Sequence, residues 1–256
     1  MLLSWYRARL KEHGFWTATP LLASVVLTRC ATALANRLLP PKVSCPCCGW
    51  RGRRFYDFRD VDFTVPAMEC PRCNSHPRHR LFFVWLRDEY RLRDRRGRAL
   101  VFAPERGLDA AWAEARGLSV LRTDIEPERG VDLLADIQRL PFAADSFDLV
   151  WCHHVLTQIP DDRAAISELF RVLRPRAGEL IISVQQERGA RTREFGRADG
   201  RHLGFWRTYG DDFAERLEEG GFEVRPADYR PPPEEARLYG IDPDEGFFIC
   251  TKREGS

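Results

Sequence analysis

A chain of 256 residues has room for one large domain, or for a large and a small one. Its 44% hydrophobic and 30% charged residues describe an ordinary core inside a soluble surface. Forty Lys and Arg against 38 Asp and Glu leave it nearly neutral, which argues against a general nucleic-acid coat protein.

The N-terminal stretch differs from the rest. Residues 1–44 hold six basic side chains (Arg7, Arg9, Lys11, Arg29, Arg37, Lys42) and one acid, Glu12, a net charge of +5. The apolar run 21–27 is bounded by Pro20 and Arg29, far short of the ~20 residues that span a bilayer. Charges at Arg7, Arg9 and Lys11 interrupt the start and no early apolar core follows, which argues against a secretory signal. Two readings stand for 1–44: a helical extension packed on its own protein or a partner, which is preferred, and a basic amphipathic helix in peripheral contact with anionic membrane.

Pro40-Pro41 breaks the chain, and cysteines follow. Cys45 and Cys48 form one Cys-x-x-Cys knuckle, Cys70 and Cys73 another, with 21 residues between Cys48 and Cys70. Each has Pro after its first Cys, and the intervening segment alternates well enough to supply ribbon strands around Arg53 to Tyr56 and Val61 to Val65. The pattern predicts a zinc ribbon over 45–80, with Cys45, Cys48, Cys70 and Cys73 as ligands of a structural zinc ion. Cys47 is a bystander that can exchange with Cys48. Disulfides are the competing reading, but nothing suggests export, so the chain is assigned to the cytoplasm. Cys30, Cys152 and Cys250 lie in apolar sequence and read as buried thiols.

The basic cluster His76-Pro77-Arg78-His79-Arg80 suits contact with an acidic substrate, a phosphate or the ribbon's own helix. It leads into an amphipathic helix at 81–86 and an Arg-rich stretch to Arg98, a solvated linker by charge pattern. In a ribbon protein that stretch also keeps nucleic-acid binding open, as the less favoured alternative.

From Arg98 onward strands and helices alternate. Residues 99–103 and 118–123 read as the first two strands, with a helix over 108–116 between them. Residues 147–152 form a buried strand ending in His153-His154. A helix from about Asp162 to Pro175 and a second apolar strand at 179–184 complete a right-handed crossover. Ligands of open parallel sheets sit beyond the carboxyl ends of the strands, where the two histidines fall. Residues 185–210 read as a long polar loop, a substrate lid with Asp199, Arg201 and His202 as polar contacts and Trp206 and Tyr209 as aromatic walls. Asp211 caps a helix over 212–219, and 222–224 with 246–250 form an antiparallel edge hairpin joined through the stiff Pro231-Pro232-Pro233.

One block is more specific. Asp136-Ile137-Gln138-Arg139-Leu140-Pro141-Phe142, then Asp145-Ser146-Phe147-Asp148-Leu149-Val150, then Glu168-Leu169-Phe170-Arg171-Val172-Leu173-Arg174-Pro175 with Gly178, closely resembles class I S-adenosylmethionine-dependent methyltransferases of the small-molecule type. The resemblance covers roughly 98–252 and implies a Rossmann-like, doubly wound, mostly parallel α/β sheet with an antiparallel edge hairpin. It also implies S-adenosyl-L-methionine as cofactor. Ala103, Glu105 and Gly107 would lie at its first turn, where Phe-Ala-Pro-Glu replaces the usual glycine-rich sequence and Glu105 would meet the ammonium group. Asp124, beside Ile125, would accept the ribose hydroxyls, with Glu126 as the second choice. Asp136 would accept the adenine amino group, with Ile137 lining the ring; its competing role is to cap the turn into Gln138. His153 would complete the site.

His154 is the preferred general base or substrate partner, with His153 and His202 behind it, against a purely positional role for the histidine pair. Leu156-Thr157-Gln158-Ile159-Pro160 departs from the commoner Leu-Glu-His-Val-Pro, so the base role of that acid or histidine does not carry over. The expected organisation is a helical lead-in (1–44), a zinc ribbon (45–80), a helix and linker (81–97) and a methyltransferase domain (98–256). The expected activity is methyl transfer to O or N of a small or modified metabolite. RNA or protein methylation with the ribbon delivering substrate is one alternative, and a non-catalytic binding module with a degenerate cofactor site is another.

Overall fold

A computed structural model describes residues 2–127, 130–199, 204–241 and 245–253. The chain divides into two compact units. The first comprises Met1–Tyr90, Arg106–Ala111 and Arg230–Glu245, and the second Arg91–Glu105, Trp112–Tyr229 and Gly246–Ser256.

In the first unit, α1 (Leu2–His13) turns at Gly14 into α2 (Phe15–Leu38). The helix runs straight through the expected boundaries: Pro20 lies inside its second turn, and 24 residues form one helix long and apolar enough, by length and composition, to cross a membrane. The short run read from the sequence is therefore corrected. Pro20 forfeits one ladder bond, to the Trp16 carbonyl, and helix-favouring Leu and Ala carry the segment onward. Antiparallel pairs β1 (Val43–Ser44) with β2 (Arg51–Gly52) and β3 (Tyr56–Arg59) with β4 (Thr64–Glu69) follow, the second pair a few residues later than alternation alone suggests.

Next comes α3 (Pro77–Asp88), expected to be amphipathic. Instead every residue from His79 to Leu86 is buried, so α3 is the centre of the first unit rather than a surface helix. Cys30 is likewise corrected, being exposed on α2, whereas Cys152 and Cys250 are buried.

The second unit is built on β5 (Gly97–Phe102), α4 (Asp109–Glu114, whose start belongs to the first unit), β6 (Leu118–Asp124), β7 (Leu133–Leu134), β8 (Leu149–His153), α5 (Asp162–Val172) and β9 (Glu179–Ser183). Then come β10 (Arg193–Asp199), β11 (Phe205–Thr208), α6 (Phe213–Glu219), β12 (Phe222–Pro226), α7 (Pro233–Tyr239, part of the first unit) and β13 (Phe248–Lys252). Seven strands form one sheet in the order β12-β13-β9-β8-β5-β6-β7. Pairs from β9 to β7 are parallel, and β13 runs antiparallel to both β9 and β12. All five residues of β8 are buried, as a strand covered on both faces requires, which is why it reads as an unbroken apolar run. This is the expected doubly wound α/β sheet.

The family-like block holds the sheet in register. Glu168 on α5 accepts the Leu140 amide (2.7 Å), and Arg171 donates to the carbonyls of Phe142 (2.7 Å) and Leu140 (3.2 Å), so α5 fixes the loop entering β8. Asp148 accepts the Arg98 amide (2.7 Å) and pairs with Arg174 (2.5 Å), joining β5 to the end of α5. These motif residues do structural work through backbone groups that would otherwise lack partners.

The expected loop 185–210 is ordered differently. Strands β10 and β11 pair as an antiparallel hairpin; β10 is mostly polar and exposed, so no alternation marked it as a half-buried strand. Tyr209 is fully buried in the core and its hydroxyl donates to Asp162 (2.6 Å), so it is not a lid wall. Arg201 and His202 lie outside the described residues. The α6 N-cap is Asp212, one residue later than expected, while Asp211 accepts the Gly189 amide (2.9 Å).

Candidate functional site

The cysteine cluster is built from two matching turns. Cys45 accepts the Gly49 amide (2.9 Å) and donates its own amide to Trp50; Cys70 accepts the Asn74 amide (2.9 Å) and donates to Ser75. Gly49 (φ 71°) and Asn74 (φ 56°) close these turns in the left-handed region, which glycine and asparagine enter most cheaply. The four ligand sulfurs all lie within 4.8 Å of one another. Cys45 and Cys73 are 3.6 Å apart and Cys48 and Cys70 3.7 Å, against an edge of about 3.8 Å for a tetrahedron of thiolates ~2.3 Å from zinc. Four convergent thiols with no carboxylate suit zinc or another soft cation.

Hydrogen bonds from Cys47, Cys70 and Cys73 hold the Cys45 thiol far below its ordinary range, whereas burial pushes Cys48 up to about 12. Cys47 is outside the set of four converging sulfurs, its own sulfur donating to the His79 carbonyl at 3.8 Å. His76 and His79 cap α3 instead of joining the cluster: the His76 amide donates to His79 Nδ1 (3.0 Å).

Arg80 is the residue sequence reading missed. Fully buried, it donates to the carbonyls of Ser75 (2.6 Å), Met68 (3.1 Å) and Gly240 (2.8 Å), and its guanidinium lies 4.0 Å from the centre of the Phe55 ring. Burial pulls its pKa down while the surrounding cysteine thiolates push it up. It is the positive charge that a thiolate-rich centre needs, not a surface contact for substrate. The signal available in sequence was its place inside the apolar run that follows it.

In the second unit the expected cofactor residues sit at the carboxyl ends of adjacent strands. Strand order reverses between β5 and β8, making the gap beyond their ends a topological switch point. Ala103, directly after β5, takes φ 46°, a left-handed conformation in which its Cβ is strained and glycine would be relaxed. Glu105 Oε2 lies 3.6 Å from His153 Nε2, and His153 Nδ1 hydrogen-bonds to the Ser183 hydroxyl at the end of β9. His153 is thus buried, with Nδ1 hydrogen-bonded to Ser183 and Nε2 facing the Glu105 carboxylate. His154 is half-buried in the left-handed region (φ 55°), its ring 4.3 Å from that of His153.

Asp124 ends β6 and accepts the Glu126 amide (3.2 Å), which leaves most of its acceptor capacity for a ligand. The adjoining Ile125 is 64% exposed. Asp136 accepts the Gln138 amide (2.9 Å) and side chain (3.1 Å), the turn-capping role, while Ile137 is buried in the core. Gly107 belongs to the first unit, where a Cβ would come within 2.8 Å of the His79 ring, so packing there accounts for its glycine. Trp206 is half-buried on β11, and Asp199 ends β10.

The hairpin is anchored at its root. Arg207 donates to the carbonyls of Leu156 (3.1 Å), Ile159 (2.6 Å) and Pro160 (2.8 Å) in the turn after β8, and pairs with Glu194 (2.8 Å). Buried Asp162 receives Tyr209 and Arg216, each at 2.6 Å. The hairpin is therefore braced at its base against the turn that follows β8.

Residues 103–182 match the family model described as a methyltransferase domain. The chain is 35% identical over 94 residues to methyltransferase GfsG of Streptomyces halstedii, 30% of this chain and 34% of that protein. It is 49% identical over 43 residues to the malonyl-[acyl-carrier protein] O-methyltransferase of Salmonella typhimurium, 17% of each. The matches thus span about a third or less of these curated relatives. An S-adenosylmethionine-dependent methyltransferase from Mesorhizobium loti superposes with a TM-score of 0.43 at 19% identity, covering 61% of this chain and 90% of that one. With the family-like block, the family match and the doubly wound sheet together, the second unit is a class I S-adenosylmethionine-dependent methyltransferase domain.

Proposed function

We propose that the protein transfers a methyl group from S-adenosylmethionine to O or N of a small or modified metabolite, in the cytoplasm, with a structural zinc ion in the cysteine cluster. The observation that carries the reading is the set of acids at the strand ends beside the switch point, within the stretch that matches methyltransferase domains. Asp124 accepts the two ribose hydroxyls, Asp136 the adenine amino group, and the exposed face of Ile125 offers apolar cover to the ring. Glu105 meets the ammonium group, and its approach to His153 fixes its carboxylate in the gap.

Bound there, the cofactor supplies a methyl carbon on a positively charged sulfur. The protein's task is to align the acceptor, exclude water and receive the proton that an O–H or N–H acceptor releases. Between the two histidines, His154 suits the proton-accepting role better, because His153 already uses Nδ1 on Ser183 and holds Nε2 toward Glu105. Transfer to oxygen has the support of the Salmonella relative's name. Eight free cysteines suit a reducing compartment.

Calorimetric titration with S-adenosylhomocysteine tests the site. Micromolar binding that falls about 10- to 100-fold in Asp124→Ala is expected, the worth of hydrogen bonds to a charged acceptor. No binding by folded, metal-loaded protein would replace this reading with a non-catalytic binding module.

A further inference from the structure

Helix α2 has two faces of opposite character. Arg29 and Asn36 lie on one side, Ser24 lies at its flank, and all three tie the helix to the ribbon of its own unit. Arg59 donates to the Ser24 hydroxyl (2.9 Å), Arg29 pairs with Glu69, and Asn36 accepts the amides of Arg53 (2.7 Å) and Arg54 (3.0 Å). Val25, also on that side, is buried. At 100° per residue, Trp16, Leu27, Leu34 and Leu38 fall within a narrow stripe on the diametrically opposite side. Trp16 is 87% exposed, and Leu27 and Leu38 69% each. Every exposed side chain between Ala18 and Arg37 is apolar. The stripe spans 23 residues from Trp16 to Leu38, about 33 Å over 22 steps of 1.5 Å. An uninterrupted apolar face of this length is not the usual surface of a soluble helix.

Charge identifies what covers it. Helix α2 contains no Asp or Glu, and the one acid of α1, Glu12, pairs with Arg9 (2.8 Å). Exposed Arg7 and Lys11 lie toward one end, beside the exposed Phe15-Trp16 pair, and Arg37 and Lys42 toward the other. Apolar length flanked by cations with an aromatic pair at one end fits the boundary between lipid headgroups and acyl chains. The ribbon ties decide the orientation. A helix crossing the bilayer would carry Arg29–Glu69, Arg59 and the cysteine ribbon into hydrocarbon, so α2 lies in the plane with its tied face toward water. We infer that α2 is an in-plane anchor that docks the protein on an anionic membrane surface, independently of its catalytic reading.

Flotation of the full-length protein with phosphatidylcholine vesicles, with and without phosphatidylglycerol, tests this. Co-flotation is expected with the anionic vesicles, weakened by salt and reduced about tenfold or more by L27E/L34E, which removes two outward-facing leucines from the lipid contact. Because both positions face outward, the variant should keep its circular dichroism spectrum and metal content. Absence of flotation by wild type, flotation unchanged in L27E/L34E, or a wild-type dimer that the same variant dissolves would overturn the proposal, the last by making a second copy the occupant. Resistance of cell-membrane-bound protein to alkaline carbonate extraction would overturn the in-plane placement.

Discussion

The cysteine cluster and the strand-end acids assemble chemistry in opposite ways. The cluster draws its four sulfurs from two five-residue turns, each closed by its own backbone hydrogen bonds. The strand-end acids come from β5, β6 and the turn after β7, and only the strand order brings them to one edge. A local turn fixes ligand geometry within a few residues, whereas a sheet fixes it through register over fifty. Damage should therefore be concentrated in the first case and distributed in the second.

The largest contrast is expected from Cys70→Ser. Loss of one thiolate should abolish stoichiometric zinc, read by elemental analysis, and unfold the first unit, since structural zinc supplies on the order of 10 kcal/mol to small ribbons. Cys47→Ser should keep both metal and fold; a loss of zinc there would break the assignment of ligands. Next in size, Arg80→Met leaves the Ser75, Met68 and Gly240 carbonyls without their donor. A loss of about 3 kcal/mol or more in urea unfolding of the metal-loaded protein is expected.

On the sheet side the effects shrink. Ala103→Gly should stabilise the protein by about 1 kcal/mol in thermal unfolding, because it relieves a left-handed alanine. A loss of stability instead would mean that the turn is held by its side chain. The smallest effect concerns acid. Arg171 holds the Glu168 carboxyl below its ordinary range, helped by the Leu140 amide. A depressed pKa contributes stability above the unfolded value of about 4.3 and loses it as pH falls through the lower folded value. Glu168→Gln should flatten that acid loss, seen as a shallower fall in melting temperature below about pH 4.3.

Legibility in the sequence followed the same division. The Cys-x-x-Cys spacing identified a set of sulfurs that do converge, and the block around Asp136 and Phe147 identified the parallel sheet, because both signals are local. Length and burial misled where partners were remote. Helix α3 has polar residues whose burial depends on distant carbonyls such as that of Gly240, so it read as amphipathic. Strand β10 is mostly polar and exposed, and the hairpin it forms with β11 is fixed by Arg207 reaching the turn after β8. In α2 the proline looked like a boundary and became part of the second turn. Tyr209 looked like a lid residue because its acceptor, Asp162, lies far away in sequence.

Arg80 also has a bearing on how the protein is made. A newly synthesised chain that meets no metal must enclose a guanidinium beside sulfurs that burial keeps mostly protonated, with the Cys45 thiolate alone to offset its charge. Once a divalent ion draws off the protons, four thiolates around it carry a net negative charge and the arginine becomes its counterweight. With the proposed zinc ion in the cluster, completion of the first unit is tied to metal delivery, and scarcity of zinc during biosynthesis would be sensed as a failure to mature rather than as a loss of the proposed methyl transfer.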